Sequence, residues 1–164
     1  MTETSTMQPT HANRVSDTET RVERRFDAPV ERVFEAWSRP ELFRQWWLPA
    51  TFGLTMVSCE MDVRTGGSYR LEIGHPQSDQ PMAFHGRYLE VVPNEKIVWT
   101  NEEGGEGGQV TTVTFAPDGA GTRLTVTDSF PSKEALDAEI GSGAMEGMPE
   151  QLAQLDRLLG GAAA

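Results

Sequence analysis

The sequence predicts an α+β fold, in which a curved antiparallel sheet of six or seven strands is covered by one long C-terminal helix. Three observations predict it. The elements follow the order strand, two helices, six strands, helix, and such segregation is typical of an antiparallel sheet. Only short turns separate most of the six consecutive strands, as in a meander. The last segment repeats apolar residues at spacings of three and four, which gives a helix one apolar face to place on the sheet.

Residues 1–14 are predicted to be a disordered tail, and residues 15–164 a single domain. The tail is polar and rich in threonine, so it can bury little apolar surface to offset the entropy cost of ordering. It lacks the apolar stretch of a secretory signal, and the chain has no apolar run of membrane-spanning length. The expected location is therefore cytoplasmic, without membrane association.

The first strand is predicted over residues 15–26, where the side chains alternate with a period of two. Pro29 then begins a helix, because a proline in the first turn loses no hydrogen bond. The apolar face of this helix consists of Val30, Val33, Phe34 and Trp37. The helix ends before Pro40. A second short helix, stopped by Pro49, carries Leu42, Phe43, Trp46 and Trp47.

Six further strands are predicted from the alternation of apolar and polar side chains and from the turn residues between them. They span Phe52–Asp62, Ser68–Ile73, Met82–Val92, Ile97–Asn101, Val110–Ala116 and Thr122–Asp128. The acidic, glycine-rich stretch 102–108 is interpreted as a hairpin loop. It lacks the Lys-Ser/Thr pair of a phosphate-binding loop.

The C-terminal region returns to helical periodicity. Ser132 is predicted to be the N-cap of a helix with acidic residues in its first turns. Gly141-Ser142-Gly143 interrupts the pattern and offers a hinge that could admit a ligand. The final amphipathic helix, long enough to cross a sheet, carries Met145, Met148, Leu152, Leu155 and Leu159 on its apolar face.

Charge and composition exclude several classes of function. The 14 Lys and Arg residues against 25 Asp and Glu residues give a net charge of −11. Such a surface repels nucleic-acid phosphates and anionic lipid, so neither is expected as a partner. The one cysteine, Cys59, is interpreted as a small buried hydrophobe in a strand. The three histidines lack metal-ligand spacing, so no metal and no cofactor are predicted.

Several segments carry a family resemblance when they are taken in order. They are FDAPVERVFEAWSRPELFRQWWLP, RTGGSYRLEI, FHGRYLEVVPNEKIVWT and the stretch from TTVTFAPDGAGTRL to the C-terminal helix, and they lie within residues 15–160. This set resembles the Hsp90 ATPase activator-like (AHSA1-type) family of the START/SRPBCC superfamily. The resemblance implies a helix-grip (Bet v 1-like) fold with a cavity for apolar small molecules. The eukaryotic activator resembles the chain only in its C-terminal domain, so stimulation of an Hsp90 ATPase is not expected.

A non-enzymatic module that binds an apolar small-molecule ligand is the first functional hypothesis. Inward residues of the sheet and the C-terminal helix would wall the pocket. The predicted ligand-binding residues are Trp47, Tyr69, Leu71, Phe84, Trp99, Phe115, Met145, Met148 and Leu152. For the adjacent Trp46 and Trp47, two alternatives are open. Either one lies in the core and the other at the cavity mouth, or both are purely structural. The two methionines either pack in the core or form an adaptable wall.

Two other hypotheses stay open. An enzyme of the cyclase or hydrolase kind would use His85, Arg87 or a tyrosine hydroxyl as acid or base. His85 and Arg87 share one face of their strand, which points either into the pocket or to the surface. A cluster of polar residues at the pocket centre would favour an enzyme, and the alternation places few there, so no catalytic residue is assigned. The third hypothesis is a stress-response protein associated with an Hsp90 homologue; a homodimer is also left open.

Overall fold

The structure, a computed structural model, describes residues 11–48, 50–102, 108–141 and 148–163. Eight strands, all paired antiparallel, form one sheet in the order β1-β2-β8-β7-β6-β5-β4-β3. They are β1 (His11–Arg14), β2 (Glu19–Phe26), β3 (Thr55–Met61), β4 (Ser68–Gly74), β5 (Met82–Val92), β6 (Lys96–Thr100), β7 (Val110–Asp118) and β8 (Gly121–Ser129). The helices are α1 (Val30–Ser38), α2 (Pro40–Phe43), α3 (Lys133–Gly141) and α4 (Met148–Ala163), with a 3₁₀ turn at Ala50–Phe52.

The α+β prediction is confirmed, with one strand more than the six or seven expected. The extra strand is β1, whose residues were predicted to belong to the disordered tail. It pairs with β2 from His11↔Glu23 to Arg14↔Thr20. Arg14 also forms an ion pair with Asp137 of α3, with an N–O distance of 2.8 Å. The alternation pattern missed β1 because backbone hydrogen bonds can hold a short edge strand without an apolar face. Residues 1–10 lie outside the described residues.

Strand β5 pairs with a different neighbour along each half of its length. Its first half pairs with β4 up to Arg87, and its second half pairs with β6 from Tyr88 onward. Gly86 lies at the change of partner, where a β-carbon would come 2.0 Å from the carbonyl oxygen of Thr100. The Arg87 N–H donates to Thr100 Oγ1 at 2.9 Å. Only glycine allows this close backbone approach, so the change of partner depends on the residue at position 86.

The concave face of the sheet carries the core. One row of paired residues crosses four strands, and all of its side chains are buried: Val22, Val126, Val113 and Ile97. Helix α4 contributes Leu152 and Leu155, which are fully buried in the same cluster. Arg24 of β2, only 2% exposed, donates to Asp156 of α4 at 3.0 Å and so ties the helix to the sheet. The predicted packing of the last helix against the sheet is thus present.

Helix α3 begins after the predicted N-cap residue. Ser132 is the N-cap of α3, because its Oγ accepts the Ala135 N–H at 3.0 Å. Helix α3 ends at Gly141, and the rest of the predicted hinge lies outside the described residues. Pro49, predicted to stop the second helix, also lies outside them.

Candidate functional site

A cavity of about 450 Å³ lies on the concave face of the sheet. Its walls come from β4, β5 and β6 on one side, from the segment Phe43–Leu54 on another, and from α3 and α4 on a third. Most of the described lining side chains are apolar or aromatic: Val22, Trp37, Phe43, Trp47, Leu48, Phe52, Leu54, Met61, Tyr69, Leu71, Ile73, Phe84, Tyr88, Trp99, Val126, Phe130 and Met148.

The aromatic wall is built around Trp37 of α1. Its ring centroid lies 5.9 Å from that of Trp47 and 6.0 Å from that of Trp99. Trp47 stacks on Phe43 with a centroid distance of 4.7 Å. Trp46 is fully buried, and its Nε1–H donates to the Ala36 carbonyl at 2.9 Å. Of the adjacent tryptophans, Trp46 therefore fills the core and Trp47 lines the cavity, in the arrangement that the sequence analysis gave first.

The structure places six of the nine predicted ligand-binding residues on the cavity wall. These are Trp47, Tyr69, Leu71, Phe84, Trp99 and Met148. Phe115 and Leu152 do not line it. Phe115 packs against Phe34 and Trp37 of α1, at centroid distances of 5.3 and 6.4 Å, and Leu152 is fully buried in the core. Alternation gave the inward direction of Phe115 correctly, and helical spacing gave that of Leu152, but neither pattern tells which part of the inward face a helix fills. Met145 lies outside the described residues.

One end of the cavity is polar, formed by Asn101, Gln109, Thr111 and Asp128; these four residues are called the polar end below. The Thr111 hydroxyl donates to Asp128 Oδ1 at 2.5 Å, and Gln109 Nε2 donates to the same oxygen at 2.8 Å. Asn101 Nδ2 donates to Thr111 Oγ1 at 3.1 Å and to the Gln109 carbonyl at 3.2 Å. The side chains thus form one connected network at the ends of three neighbouring strands.

Asp128 is the ionisable group at the centre of the polar end. It is 9% exposed, and burial raises the pKa of its carboxyl group, while the hydrogen bonds from Thr111 and Gln109 oppose that rise. Across the β2–β8 pairing it lies opposite Thr20, whose buried hydroxyl has no hydrogen-bond partner among the described residues. The site therefore contains a desolvated carboxyl group beside apolar walls.

The polar end was not among the predicted site residues, although the sequence contains a signal for it. Residues Leu124, Val126 and Asp128 alternate along β8, so the period of two does place Asp128 on the inner face with the two buried apolar residues. The same parity puts Thr111 inward with Val113 on β7. The alternation therefore indicates that Asp128 faces the cavity. A charged residue at a strand end is usually solvated, however, and for that reason Asp128 was not predicted as a site residue.

The residues proposed as acids or bases lie elsewhere or are held by other groups. Arg87 is exposed, and its Nε donates to Glu102 Oε2 at 2.8 Å. His85 does not line the cavity. Tyr69 and Tyr88 do line it, but the Tyr69 hydroxyl donates to the Thr100 carbonyl at 2.7 Å. Burial raises the pKa of Tyr88 well above its ordinary value, which disfavours the phenolate that a general base would need.

Side chains of α4 hold the loop at the cavity wall. Gln154 Nε2 donates to the carbonyls of Trp46 and Leu48 at 2.9 and 2.8 Å. Glu150 accepts the Thr51 N–H at 3.0 Å, and Gln151 donates to the Trp47 carbonyl. These contacts satisfy loop backbone groups and fix the position of Trp47 relative to the helix.

Within the described ranges, no group of three or more His, Cys, Asp or Glu side chains is arranged to hold a metal ion. No helix in the part of the chain that the structure describes is long and apolar enough to cross a membrane. Cys59 is half-buried on β3, with its Sγ 3.6 Å from Met61 Sδ, and burial raises the pKa of its thiol.

A curved antiparallel sheet that packs on a C-terminal helix around an apolar cavity defines a helix-grip domain of the START/SRPBCC type. Within that class, the chain belongs to the family described as Activator of Hsp90 ATPase homolog 1-like protein, whose sequence model matches residues 27–160. The family resemblance found in the sequence is thereby confirmed. Among proteins with curated descriptions, none matched the chain.

Solved structures share the fold over nearly the whole chain. A protein from Rhodobacter sphaeroides superposes with a TM-score of 0.84 at 23% identity, covering 93% of this chain and 99% of that one. A protein from Chromobacterium violaceum is 34% identical, with a TM-score of 0.72 and coverage of 86% and 96%. The AHSA1-like protein from Aeromonas hydrophila reaches a TM-score of 0.67 at 15% identity, with coverage of 84% and 93%.

Proposed function

We propose that the protein is a binding module for apolar small molecules, which it holds in the cavity between the sheet and the C-terminal helices. The observation that carries the proposal is the cavity itself. Its volume of about 450 Å³ falls in the range of small-molecule sites, and aromatic and aliphatic side chains form most of its wall. A site of this kind gains affinity from apolar burial and orientation from a few polar groups.

The free energy available from apolar burial is sufficient for binding. Burying about 300 Å² of ligand surface at roughly 25 cal/mol per Å² contributes about 7.5 kcal/mol before the costs of association. Those costs are several kcal/mol, so we expect dissociation constants in the micromolar range or weaker. The interlocked rings of Trp37, Trp47 and Phe43 lower these costs, because a wall that is already ordered loses little entropy on binding.

The alternatives have less support from the geometry. Neither His85 nor Arg87 reaches the cavity, so an enzyme built on these two residues has no substrate next to its acid or base. Association with an Hsp90 homologue is a separate hypothesis suggested by the family description. It stays a prediction that the chain gives little or no stimulation of such an ATPase, which a coupled ATPase assay at stoichiometric protein would test. The cytoplasmic location likewise stays a prediction.

Filling the cavity tests the proposal. Leu71 lines it and is 4% exposed, whereas Leu89 lies on the neighbouring strand and is 46% exposed. We expect Leu71→Trp to weaken binding of the neutral fluorescent probe Nile red at least about tenfold, which corresponds to about 1.4 kcal/mol. The matched control Leu89→Trp should bind the probe as the wild type does.

Circular dichroism must show that both variants keep the fold. If wild-type protein binds no Nile red, or if both variants bind it equally well, the cavity is not the binding site. The hypothesis of association with an Hsp90 homologue would then take its place.

A further inference from the structure

Counting only hydrogen bonds between described residues, the polar end leaves more acceptors than donors unused. Both hydrogens of Asn101 Nδ2, the Thr111 hydroxyl and one hydrogen of Gln109 Nε2 are used within the network. The two donors that reach Asp128 both contact Oδ1. Its other oxygen, Oδ2, and the side-chain carbonyl oxygens of Asn101 and Gln109 accept no hydrogen bond from the described residues. A ligand that enters the cavity therefore meets a cluster of acceptors, and it has to supply the donors.

The charges around the cavity also favour a ligand that donates hydrogen bonds. The described lining residues include two carboxyl groups, Asp128 and Glu139, and no Lys, Arg or His. The whole chain carries a net charge of −11. A carboxylate or phosphate ligand would face like charges in a desolvated site, where repulsion is stronger than in water. A cation would meet opposite charge and has no competing basic side chain among these residues.

The aromatic wall continues up to the polar end. Trp99 is the register partner of Thr111, and Thr111 is the partner of Asp128, so the three side chains follow one another across the sheet on the same face. Trp37 lies 6.0 Å from Trp99, between centroids. Indole faces attract cations through the ring quadrupole. A ligand nitrogen at Asp128 would thus lie beside a surface that also favours positive charge.

We infer that the ligand of this cavity is an apolar amine. Its hydrocarbon or aromatic body packs on the wall formed by Trp47, Leu71 and Met148, and its protonated nitrogen donates to Asp128 Oδ2. The inference rests on the proposed function, since it requires that the cavity binds small molecules. It specifies the chemical class, and it separates amines from the fatty acids and other anions that an apolar pocket would accept on size alone.

A matched ligand series tests the inference. The ligands 1-naphthylmethylamine, 1-naphthalenemethanol and 1-naphthoic acid share one apolar body and differ in the polar group. Each competes with Nile red for the wild-type protein near pH 7 at about 0.15 M salt, which screens long-range attraction by the acidic surface. We expect the amine to bind about tenfold tighter than the alcohol, as a charge-assisted hydrogen bond predicts, and the acid to bind weakest.

Two variants locate the effect. Asp128→Asn keeps the shape and removes the charge, so we expect it to abolish the preference for the amine over the alcohol, with both affinities measured by competition against the variant's own Nile red affinity. Glu60→Gln removes one exposed carboxylate from β3 and should change nothing. If the wild type shows no preference for the amine, or if Asp128→Asn retains it, the inference is overturned while the proposed function stands. If Nile red does not bind at all, the proposed function fails first.

A measurement on the wild type alone covers the case in which Asp128→Asn does not fold. In the amine complex, nuclear Overhauser contacts should join the methylene next to the nitrogen to the Thr111 methyl group, and the naphthalene ring to Leu71. The reverse orientation, with the ring at Thr111, would overturn the assignment of the nitrogen to Asp128.

Discussion

At the scale of single residues, Asp128 is the buried carboxyl group among the residues that the structure describes. It is buried at the end of a strand, with both hydrogen bonds on one oxygen. Because burial raises its pKa above the ordinary value of 3.8, the folded state binds this proton more tightly than the unfolded state does. The contribution of Asp128 to stability is therefore largest below that ordinary value, and it is lost as the pH rises through the pKa of the folded state.

Asp128→Asn should reveal this pH dependence, because the amide keeps the size and the acceptor oxygen but does not titrate. We expect the free energy of unfolding of the wild type, relative to that of the variant, to fall between pH 4 and neutral pH. Urea denaturation at several pH values measures this difference. A relative stability that is constant, or that rises with pH, would show that desolvation does not control this carboxyl group.

At the scale of elements, the buried contact between β2 and α4 holds the long helix on the sheet. Arg24 has a side chain that is 2% exposed, while that of Asp156 is 31% exposed. The guanidinium also lies over the Phe26 ring, with Cζ 5.3 Å from the centroid. Removing the carboxylate that balances this buried charge should therefore cost more than replacing the arginine by an apolar side chain.

Two substitutions at this contact should consequently differ in their effect. Asp156→Ala removes the carboxylate and leaves the guanidinium buried, so we expect a loss of about 3 kcal/mol in the free energy of unfolding. Arg24→Met, in which methionine replaces the buried stem, should cost less. The double variant should be about as stable as Arg24→Met alone. Chemical denaturation of all three variants measures this, and a larger loss for Arg24→Met than for Asp156→Ala would contradict the account.

The edge strand β1 sets where the N-terminal tail can be removed. Residues 1–14 are predicted from the sequence to be a disordered tail, but β1 pairs with β2 through four residues and Arg14 contacts Asp137. A chain that begins at residue 11 should melt within about a degree or two of the full chain, because changes at the surface rarely exceed about 0.5 kcal/mol.

A chain that begins at Val15 should be destabilised further, by about 1–3 kcal/mol, because it loses edge hydrogen bonds that contribute about 1 kcal/mol each. Thermal unfolding of the full chain and the two shortened chains measures both effects. Equal melting temperatures for both would show that β1 adds nothing to stability and that the predicted boundary is energetically correct.

At the scale of the whole molecule, the sequence predicted the architecture better than the site. Alternation in β4 and β8 and the spacing of Leu152 and Leu155 were enough for the sheet and its covering helix, since burial periodicity is a local property. Which residues line the cavity depends on which inward side chains a helix covers. Packing between elements that are distant in the sequence decides this. For this reason Phe115 and Leu152 were predicted as lining and are core, while Asp128 was overlooked.

The central claim is that the concave face of the sheet holds a small apolar ligand. The most direct measurement is the set of nuclear Overhauser contacts between Nile red and the methyl groups of isotope-labelled protein. The account predicts contacts with Leu71, Ile73 and Met148, which line the cavity. Contacts confined to the exposed Val57 and Leu89, or no contacts at all, would contradict it.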